Sequence, residues 1–180
     1  TGTKRNGKSM VAVAVGCGAI VVGLLCGDQK QRRYSMTRVL NAGRREPLSG
    51  STHSVVVFLH GYGANGADLL GLADPLAEHL PDTLFVAPDA PEDCAGAPMG
   101  FQWFPIPWID SSSEEEAERG MLAAAEDLNA FLDALMVDED VLPEQVVLFG
   151  FSQGTMMSLH VAARREDEVA GVVAISGRLL

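Results

Sequence analysis

A serine flanked by glycines is the residue of this chain best suited to act as a nucleophile. The segment GFSQG, with Ser152 at its centre, has the pattern G-x-S-x-G, and it lies between an apolar run and a helical pattern. Gly150 and Gly154 relieve the crowding of a sharp strand-to-helix turn, so the Ser152 hydroxyl is held out above the sheet. The N-terminus of the following helix favours the negative charge that develops in acyl transfer. The pattern predicts a nucleophile at this position, and the alternative is a plain glycine-rich turn.

A second glycine-containing turn, HGYG, starts at His60 and follows the apolar residues 55–59. Acyl transfer passes through an oxyanion, which needs two N–H donors aimed at one point. The amide of Gln153 can be one donor, and we assign the other to the backbone N–H of Tyr62 because both turns open at the carboxyl edge of the predicted sheet. The alternative is a tight turn that needs glycine only for its dihedral angles.

The elements that would position these turns follow from the apolar pattern. Short apolar runs alternate with segments of helical period, which predicts βαβ units and a mainly parallel sheet. A long helix is predicted after Ser113, whose side chain can cap it ahead of three glutamates. Residues 88–110 contain five prolines and both tryptophans and are predicted to form a long ordered loop. The predicted strands are residues 55–59, 83–87, 145–149 and 169–175, with a crossover helix over 68–80.

Composition limits the size and the partners of the protein. The chain has 180 residues, 47% of them apolar, which suits a single domain. The formal net charge is −11, and residues 48–180 hold four basic against twenty-two acidic side chains, so nucleic acid is excluded as a partner. The three cysteines have neither metal-ligand spacing nor an even count, so we expect no metal, no disulfide framework and a cytoplasmic location.

The N-terminal residues 1–35 are interpreted as a basic and apolar extension, and residues 36–180 as the domain. Basic side chains precede the uncharged residues 10–26, whose seventeen positions would span only about 25 Å as a helix, against a hydrocarbon core of roughly 30 Å. Membrane contact through this segment is therefore the alternative, and a non-essential extension is the preferred interpretation.

Several motifs together resemble one known family. They are FLHGYGANGADL (58–69), FVAPDAP (85–91), the loop around Gln102, LFGFSQGT (148–155) and VVAISG (172–177). From about residue 55 to residue 180 the sequence resembles the phospholipase/carboxylesterase group of α/β-hydrolases, which includes the acyl-protein thioesterases. One departure is Thr155, where the family often has glycine, and we expect it to be tolerated.

The resemblance implies an α/β fold of three layers, with a mainly parallel sheet between helices. It implies hydrolysis of small-molecule esters or thioesters through an acyl-enzyme on Ser152, without metal or cofactor, and with Tyr62 and Gln153 donating to the oxyanion. It also favours Trp103 and Phe104 as substrate-binding residues, ahead of Trp108. The alternative for these aromatic side chains is a loop pinned to the domain.

The general base is missing from this pattern. Serine hydrolases of this fold supply the triad in the order Ser, Asp, His, and of the four histidines only His160 follows Ser152. Eight residues of helix place His160 about 12 Å along the axis, out of reach of the hydroxyl. His60 lies at the correct edge but is interpreted as a structural residue of its turn, and His53 and His79 as solvated. We therefore interpret the sequence as truncated, with the C-terminal strands and the base lost.

Two other functions are left open by the residues. A non-catalytic hydrolase-like fragment or interaction module would explain the missing triad members. An enzyme resembling dienelactone hydrolase is the other alternative, although such enzymes carry cysteine where this chain has Ser152. The sequence predicts no oligomeric state and no specific acyl-chain length.

Overall fold

The computed structural model describes residues 37–180, so the predictions for residues 1–35, including the apolar segment 10–26, lie outside the described residues. No helix within the described range is both long and apolar enough to cross a membrane. The strands are β1 Ala42–Arg45, β2 Ser54–Leu59, β3 Thr83–Pro88, β4 Glu92–Asp93, β5 Phe101–Gln102, β6 Val146–Phe151 and β7 Gly171–Ile175. The helices are α1 Gly66–Leu70, α2 Ala73–Ala77, α3 Pro107–Asp110, α4 Glu114–Glu139 and α5 Gln153–Ala162.

The main sheet has the strand order β1-β3-β2-β6-β7. Strands β3, β2, β6 and β7 are parallel, as predicted, and β1 pairs antiparallel with β3 at one edge. Strand β1 escapes prediction because its sequence, AGRR, has no apolar alternation. Its arginines are instead ion-paired, Arg44 with Glu139 at the end of α4 and Arg45 with Asp74 of α2. Long-range ion pairs of this kind leave no mark in the local sequence.

Helices α4 and α5 cover one face of the sheet. As predicted, α4 starts after Ser113, whose hydroxyl accepts a hydrogen bond from the Glu116 N–H at 3.2 Å. The Glu116 carboxylate in turn accepts from the Ser113 N–H at 2.8 Å, which lowers the pKa of Glu116. Buried leucines of α4, among them Leu128 and Leu132, pack in one apolar cluster with the side chains of β2, β3 and β6. This packing, more than helix propensity, holds the layer together.

The opposite face is covered by α1 and α2, and here the prediction of one helix over residues 68–80 is wrong. Two short helices form instead, and the Leu72 N–H bonds the carbonyl three residues earlier rather than four. Pro75 lacks an N–H, so a regular hydrogen-bond ladder cannot continue through this segment. Phe58 lies under these helices and stacks on Phe85 with ring centroids 5.9 Å apart.

The segment 88–110 contains more regular structure than the predicted loop. It includes the hairpin β4–β5 and the single-turn helix α3. The hairpin is hydrogen-bonded to the turn after β2, since the Phe101 carbonyl accepts from Gly63 N–H at 2.9 Å and the Phe101 N–H donates to the Ala64 carbonyl at 2.7 Å. The proline-rich segment is therefore fixed against the turn that carries the predicted oxyanion donor.

Candidate active site

Ser152 occupies a strained turn between β6 and α5. Its φ of 53° and ψ of −113° lie where non-glycine residues are rare, at a cost of about 1–3 kcal/mol. The Ser152 N–H donates to the Ile175 carbonyl of β7 at 2.8 Å, which helps to hold this conformation. A Cβ atom added to Gly150 would lie 2.5 Å from the Gly154 carbonyl oxygen, and one added to Gly154 would collide with the last carbonyl of β2. Both glycines are thus required by close backbone approach.

The turn after β2 lies directly beside this serine. A Cβ atom added to Gly61 would be 3.3 Å from the Ser152 Cβ and 3.3 Å from the Phe151 ring. The next residue is Tyr62. Within residues 37–180, neither the Tyr62 amide nor the Gln153 amide donates to a backbone carbonyl. Two free N–H groups therefore belong to the two segments that meet at the serine.

The Tyr62 phenol interacts with the thiol of a cysteine. A hydrogen bond with the Cys94 thiol, together with partial burial, raises the pKa of the Tyr62 phenol to about 12. Cys94 is a free, buried cysteine that follows β4. The phenol is therefore neutral at physiological pH and takes no part as a base.

His60 stabilises the turn and is not available as a base. The ring is fully buried, its Nδ1 lies 2.8 Å from the Gly61 carbonyl oxygen, and its Nε2 accepts from the Ala90 N–H at 3.0 Å. Because Nε2 accepts, Nδ1 carries the proton and donates to the carbonyl. Burial lowers the pKa of His60. Both ring nitrogens are engaged in the neutral form, in agreement with the structural role inferred from the sequence.

The Gln153 side chain connects the serine turn to the segment 103–108, which carries Trp103, Phe104 and Trp108 and is called the aromatic loop below. It is almost fully buried, its Oε1 accepts from the Trp103 N–H at 2.9 Å, and its Nε2 donates to the Phe104 carbonyl at 2.8 Å. The Trp103 indole N–H donates to the His60 carbonyl at 3.0 Å, and its ring is fully buried in the core. Trp103 therefore pins the loop. From the sequence only the backbone N–H of Gln153 was predicted to have a role. No local pattern predicts the two side-chain hydrogen bonds, which together are called the Gln153 clamp below.

A cavity of about 270 Å³ lies beside α5, and among the described residues its lining does not include Ser152, Tyr62 or Gln153. Met156, which lines it, lies one helical turn beyond Ser152, and its N–H donates to the Ser152 carbonyl at 3.3 Å. Phe104 also lines the cavity, whereas Trp103 does not. The other lining residues are mostly apolar and come from the aromatic loop, from α4 and from the segment after β7: Pro105, Ile106, Pro107, Trp108, Glu114, Ala117, Glu118, Met121, Arg178 and Leu180.

Thr155 is accommodated by hydrogen bonds. Its hydroxyl lies 2.6 Å from the Gly150 carbonyl oxygen and 2.7 Å from that of Ile175, and it accepts from the Ile175 N–H at 3.0 Å. Since the Ile175 carbonyl already accepts from Ser152, the single hydroxyl proton can serve Gly150. Thr155, which stands where the family often has glycine, thus links α5 to β6 and β7. The fold accommodates the threonine, as expected.

The remaining histidines are remote from the serine. His160, near the end of α5, is buried with 4% of its surface exposed, and its pKa is lowered by that burial and by the charge of Arg164. It is a packing residue. His53 and His79 are exposed, as predicted. In the part of the chain that the structure describes, no hydrogen bond joins a histidine ring to Ser152.

Comparison with known proteins places the chain in a family. A sequence profile of the Phospholipase/Carboxylesterase family matches residues 46–180. The chain is 33% identical over 128 residues to acyl-protein thioesterase 1 of Cryptococcus neoformans var. neoformans serotype D, a match that covers 68% of this chain and 53% of the relative. It is 28% identical over 138 residues to acyl-protein thioesterase 1 of Yarrowia lipolytica, covering 74% of this chain and 60% of the relative.

A solved structure of an esterase has a similar fold. The crystal structure of esterase PE8 superposes with a TM-score of 0.74 at 37% identity, covering 79% of this chain and 66% of that one. The chain spans between about half and two thirds of the length of these relatives. The α/β-hydrolase type of fold and its mainly parallel sheet are therefore confirmed.

Proposed function

Because the chain belongs to the phospholipase/carboxylesterase family, we propose that it is the serine-bearing part of a carboxylic ester hydrolase that acts on esters or thioesters. In this proposal Ser152 Oγ attacks the carbonyl carbon, the amides of Tyr62 and Gln153 hold the oxyanion, and the alcohol or thiol departs. Water then hydrolyses the acyl-serine and releases the acid. The observation that supports the proposal is the strained backbone of Ser152 next to Gly61, with the unengaged amides of Tyr62 and Gln153 each one residue away along the two adjoining segments.

The acyl part of a small-molecule substrate would occupy the cavity that Phe104 and Met156 line. Phe104, whose carbonyl accepts from the Gln153 side chain, and Met156, one helical turn beyond Ser152, supply apolar surface to this cavity. Trp103 would contribute to substrate binding by fixing Phe104, since its own ring is buried. The reaction as proposed needs no metal or cofactor. The odd number of cysteines, which gives no disulfide framework, supports a cytoplasmic site of action.

Activation of Ser152 needs a base, which family members of this fold supply as an Asp and a His. His60 is engaged at both ring nitrogens, and His160 lies at the far end of α5. This observation favours a second candidate function, a non-catalytic hydrolase-like fragment or interaction module. The two candidates differ in whether Ser152 is chemically reactive.

Labelling with a fluorophosphonate, with and without added imidazole, separates them. Imidazole can replace a missing general base, so an intact oxyanion site should label at Ser152 and label faster as imidazole is added. Ser152→Ala should abolish the labelling, and Ser51→Ala, which removes an exposed serine, should leave it unchanged. Labelling that does not depend on Ser152, or none even with imidazole, would overturn the hydrolase proposal.

A further inference from the structure

Among the residues that the structure describes, Arg178 supplies the single positive charge that lines the cavity next to Phe104 and Met156. The preceding residue, Gly177, packs tightly against the serine turn, since an added Cβ atom there would lie 2.7 Å from the Ser152 carbonyl oxygen. The segment that carries Arg178 is therefore anchored at the nucleophile. The cavity that its side chain lines is otherwise apolar, apart from Glu114 and Glu118 on α4.

Arg178 differs from the other arginines of the described range. Each of the others bonds a carboxylate or a carbonyl, whereas Arg178 forms neither a salt bridge nor a side-chain hydrogen bond with any residue between 37 and 180. This is unusual in a segment, 48–180, where acidic side chains outnumber basic ones by twenty-two to four. The paired arginines are Arg38, Arg44, Arg45, Arg119, Arg164 and Arg165.

We propose that Arg178 is a specificity-determining residue that selects substrates with an anionic group close to the reacting carbonyl. This inference rests on the proposed function of Ser152. A guanidinium binds carboxylate or phosphate oxygens through charge-assisted hydrogen bonds, and it retains its charge at all physiological pH values. A methylene group has about the volume of a water molecule, so the cavity of about 270 Å³ takes a chain of roughly eight or nine carbons. The preferred substrate class is a medium-chain ester or thioester with a nearby negative charge.

The two glutamates that line the cavity provide a second test, because their negative charge should affect anion binding in the opposite direction to the charge of Arg178. Glu114 and Glu118 are four residues apart on α4 and so lie on one face of that helix. Both repel an anion, whereas Arg178 attracts it. Removing the charge of Glu118 should therefore strengthen anion binding, while removing the charge of Arg178 should weaken it.

Binding of octanoate and of 1-octanol to the intact chain tests this inference without relying on turnover. The two probes share an eight-carbon chain and differ in charge, so the ratio of their affinities isolates the contribution of the anion. Trp108 is 70% exposed and lines the cavity, so its fluorescence should report binding, and Trp108→Phe should remove the signal. Isothermal titration calorimetry provides the affinities for variants in which the fluorescence changes.

Arg178→Gln should weaken octanoate binding about three- to fivefold, as expected for a solvent-accessible charge pair, and should leave octanol binding unchanged. Arg178→Lys should recover part of the loss, and Glu118→Gln should tighten octanoate binding. Arg119→Gln is the matched control, because it removes the same charge from the exposed surface of α4 outside the cavity. The octanoate difference should also shrink as salt is added.

An unchanged ratio of octanoate to octanol affinity in Arg178→Gln, or the absence of binding of both probes to the unmodified chain, would overturn the inference. Fluorophosphonate labelling of Ser152 is measured separately. If Ser152 does not react but the affinity ratio depends on Arg178, the proposed hydrolase function fails while the anion site stands. If Ser152 reacts and the ratio does not depend on Arg178, only the specificity role is lost.

Discussion

Replacing Gln153 by methionine tests whether the side-chain clamp holds the aromatic loop to the serine turn. Methionine has a similar volume and flexibility, so the packing is largely kept while both hydrogen bonds are lost. The change leaves the Trp103 N–H and the Phe104 carbonyl buried without their partner. Each such group costs about 1–3 kcal/mol, so the free energy of unfolding should fall by roughly 2–6 kcal/mol. That is a large fraction of the roughly 5–15 kcal/mol that stabilises most domains.

Gln145→Met is the matched control. The Gln145 side chain also accepts from a backbone N–H, that of Leu142 at 2.8 Å, and donates to a backbone carbonyl, that of His53 at 2.6 Å. These bonds are exposed, so water replaces the lost partner and the cost should stay below about 1 kcal/mol.

Urea unfolding followed by tryptophan fluorescence measures both variants, and thermal unfolding should show a decrease in Tm of about 5–15 °C for Gln153→Met. Gln153→Glu adds a pH test. Its second carboxylate oxygen would face the Phe104 carbonyl, so the protonated acid fits better, and burial raises its pKa. The stability deficit should therefore shrink as the pH falls through that raised pKa. If Gln153→Met costs no more than Gln145→Met, the clamp does not hold the loop.

Three further outcomes follow from the structure. Gly154→Ala should destabilise the protein by about 1–3 kcal/mol or more because its Cβ meets a backbone carbonyl of β2, whereas Gly71→Ala, with open space around it, should be neutral, as measured by denaturant unfolding. The pKa of buried His60 lies below its ordinary value of 6.5, so the unfolded chain binds more protons, and stability should decrease as the pH falls below about 6.5. Replacing His60 by Gln should reduce this slope. Cys94→Ala should lower the pKa of the Tyr62 phenol from about 12 towards 10.0, as followed by absorbance at high pH.

The elements that depend on local sequence were predicted well. The four parallel strands, the start of α4 after Ser113 and the turn around Ser152 all follow from short-range patterns of apolar residues, caps and glycines. The prediction of a single helix over residues 68–80 was wrong. It relied on the apolar period of this segment and did not take into account that Pro75 cannot donate to the hydrogen-bond ladder. Periodicity describes which side of a segment is buried, and it does not by itself establish that the segment is continuous.

The parts of the site that escaped prediction depend on contacts between distant residues. The partners of the Gln153 side chain lie 50 and 49 residues earlier in the chain. Arg178 belongs to no motif, and only the folded chain brings it to the same cavity as Phe104 and Met121. The sequence predicts a nucleophile and two amide donors because local turn patterns carry that prediction. It could not show which side chains support that turn.

The strained turn persists because several elements restrain it at once. Ser152 alone would favour an ordinary conformation by about 1–3 kcal/mol. Its N–H is bound by β7, its carbonyl packs against Gly177, and Gly154 abuts β2. Thr155 joins the ends of β6 and β7 through one hydroxyl. Apart from the Thr155 hydroxyl, each restraint is a backbone contact or close packing at the carboxyl edge of the sheet, so the orientation of Ser152 depends mainly on the alignment of β2, β6 and β7. A substitution that shifts any one of these strands should therefore slow fluorophosphonate labelling of Ser152 even where the free energy of unfolding changes little.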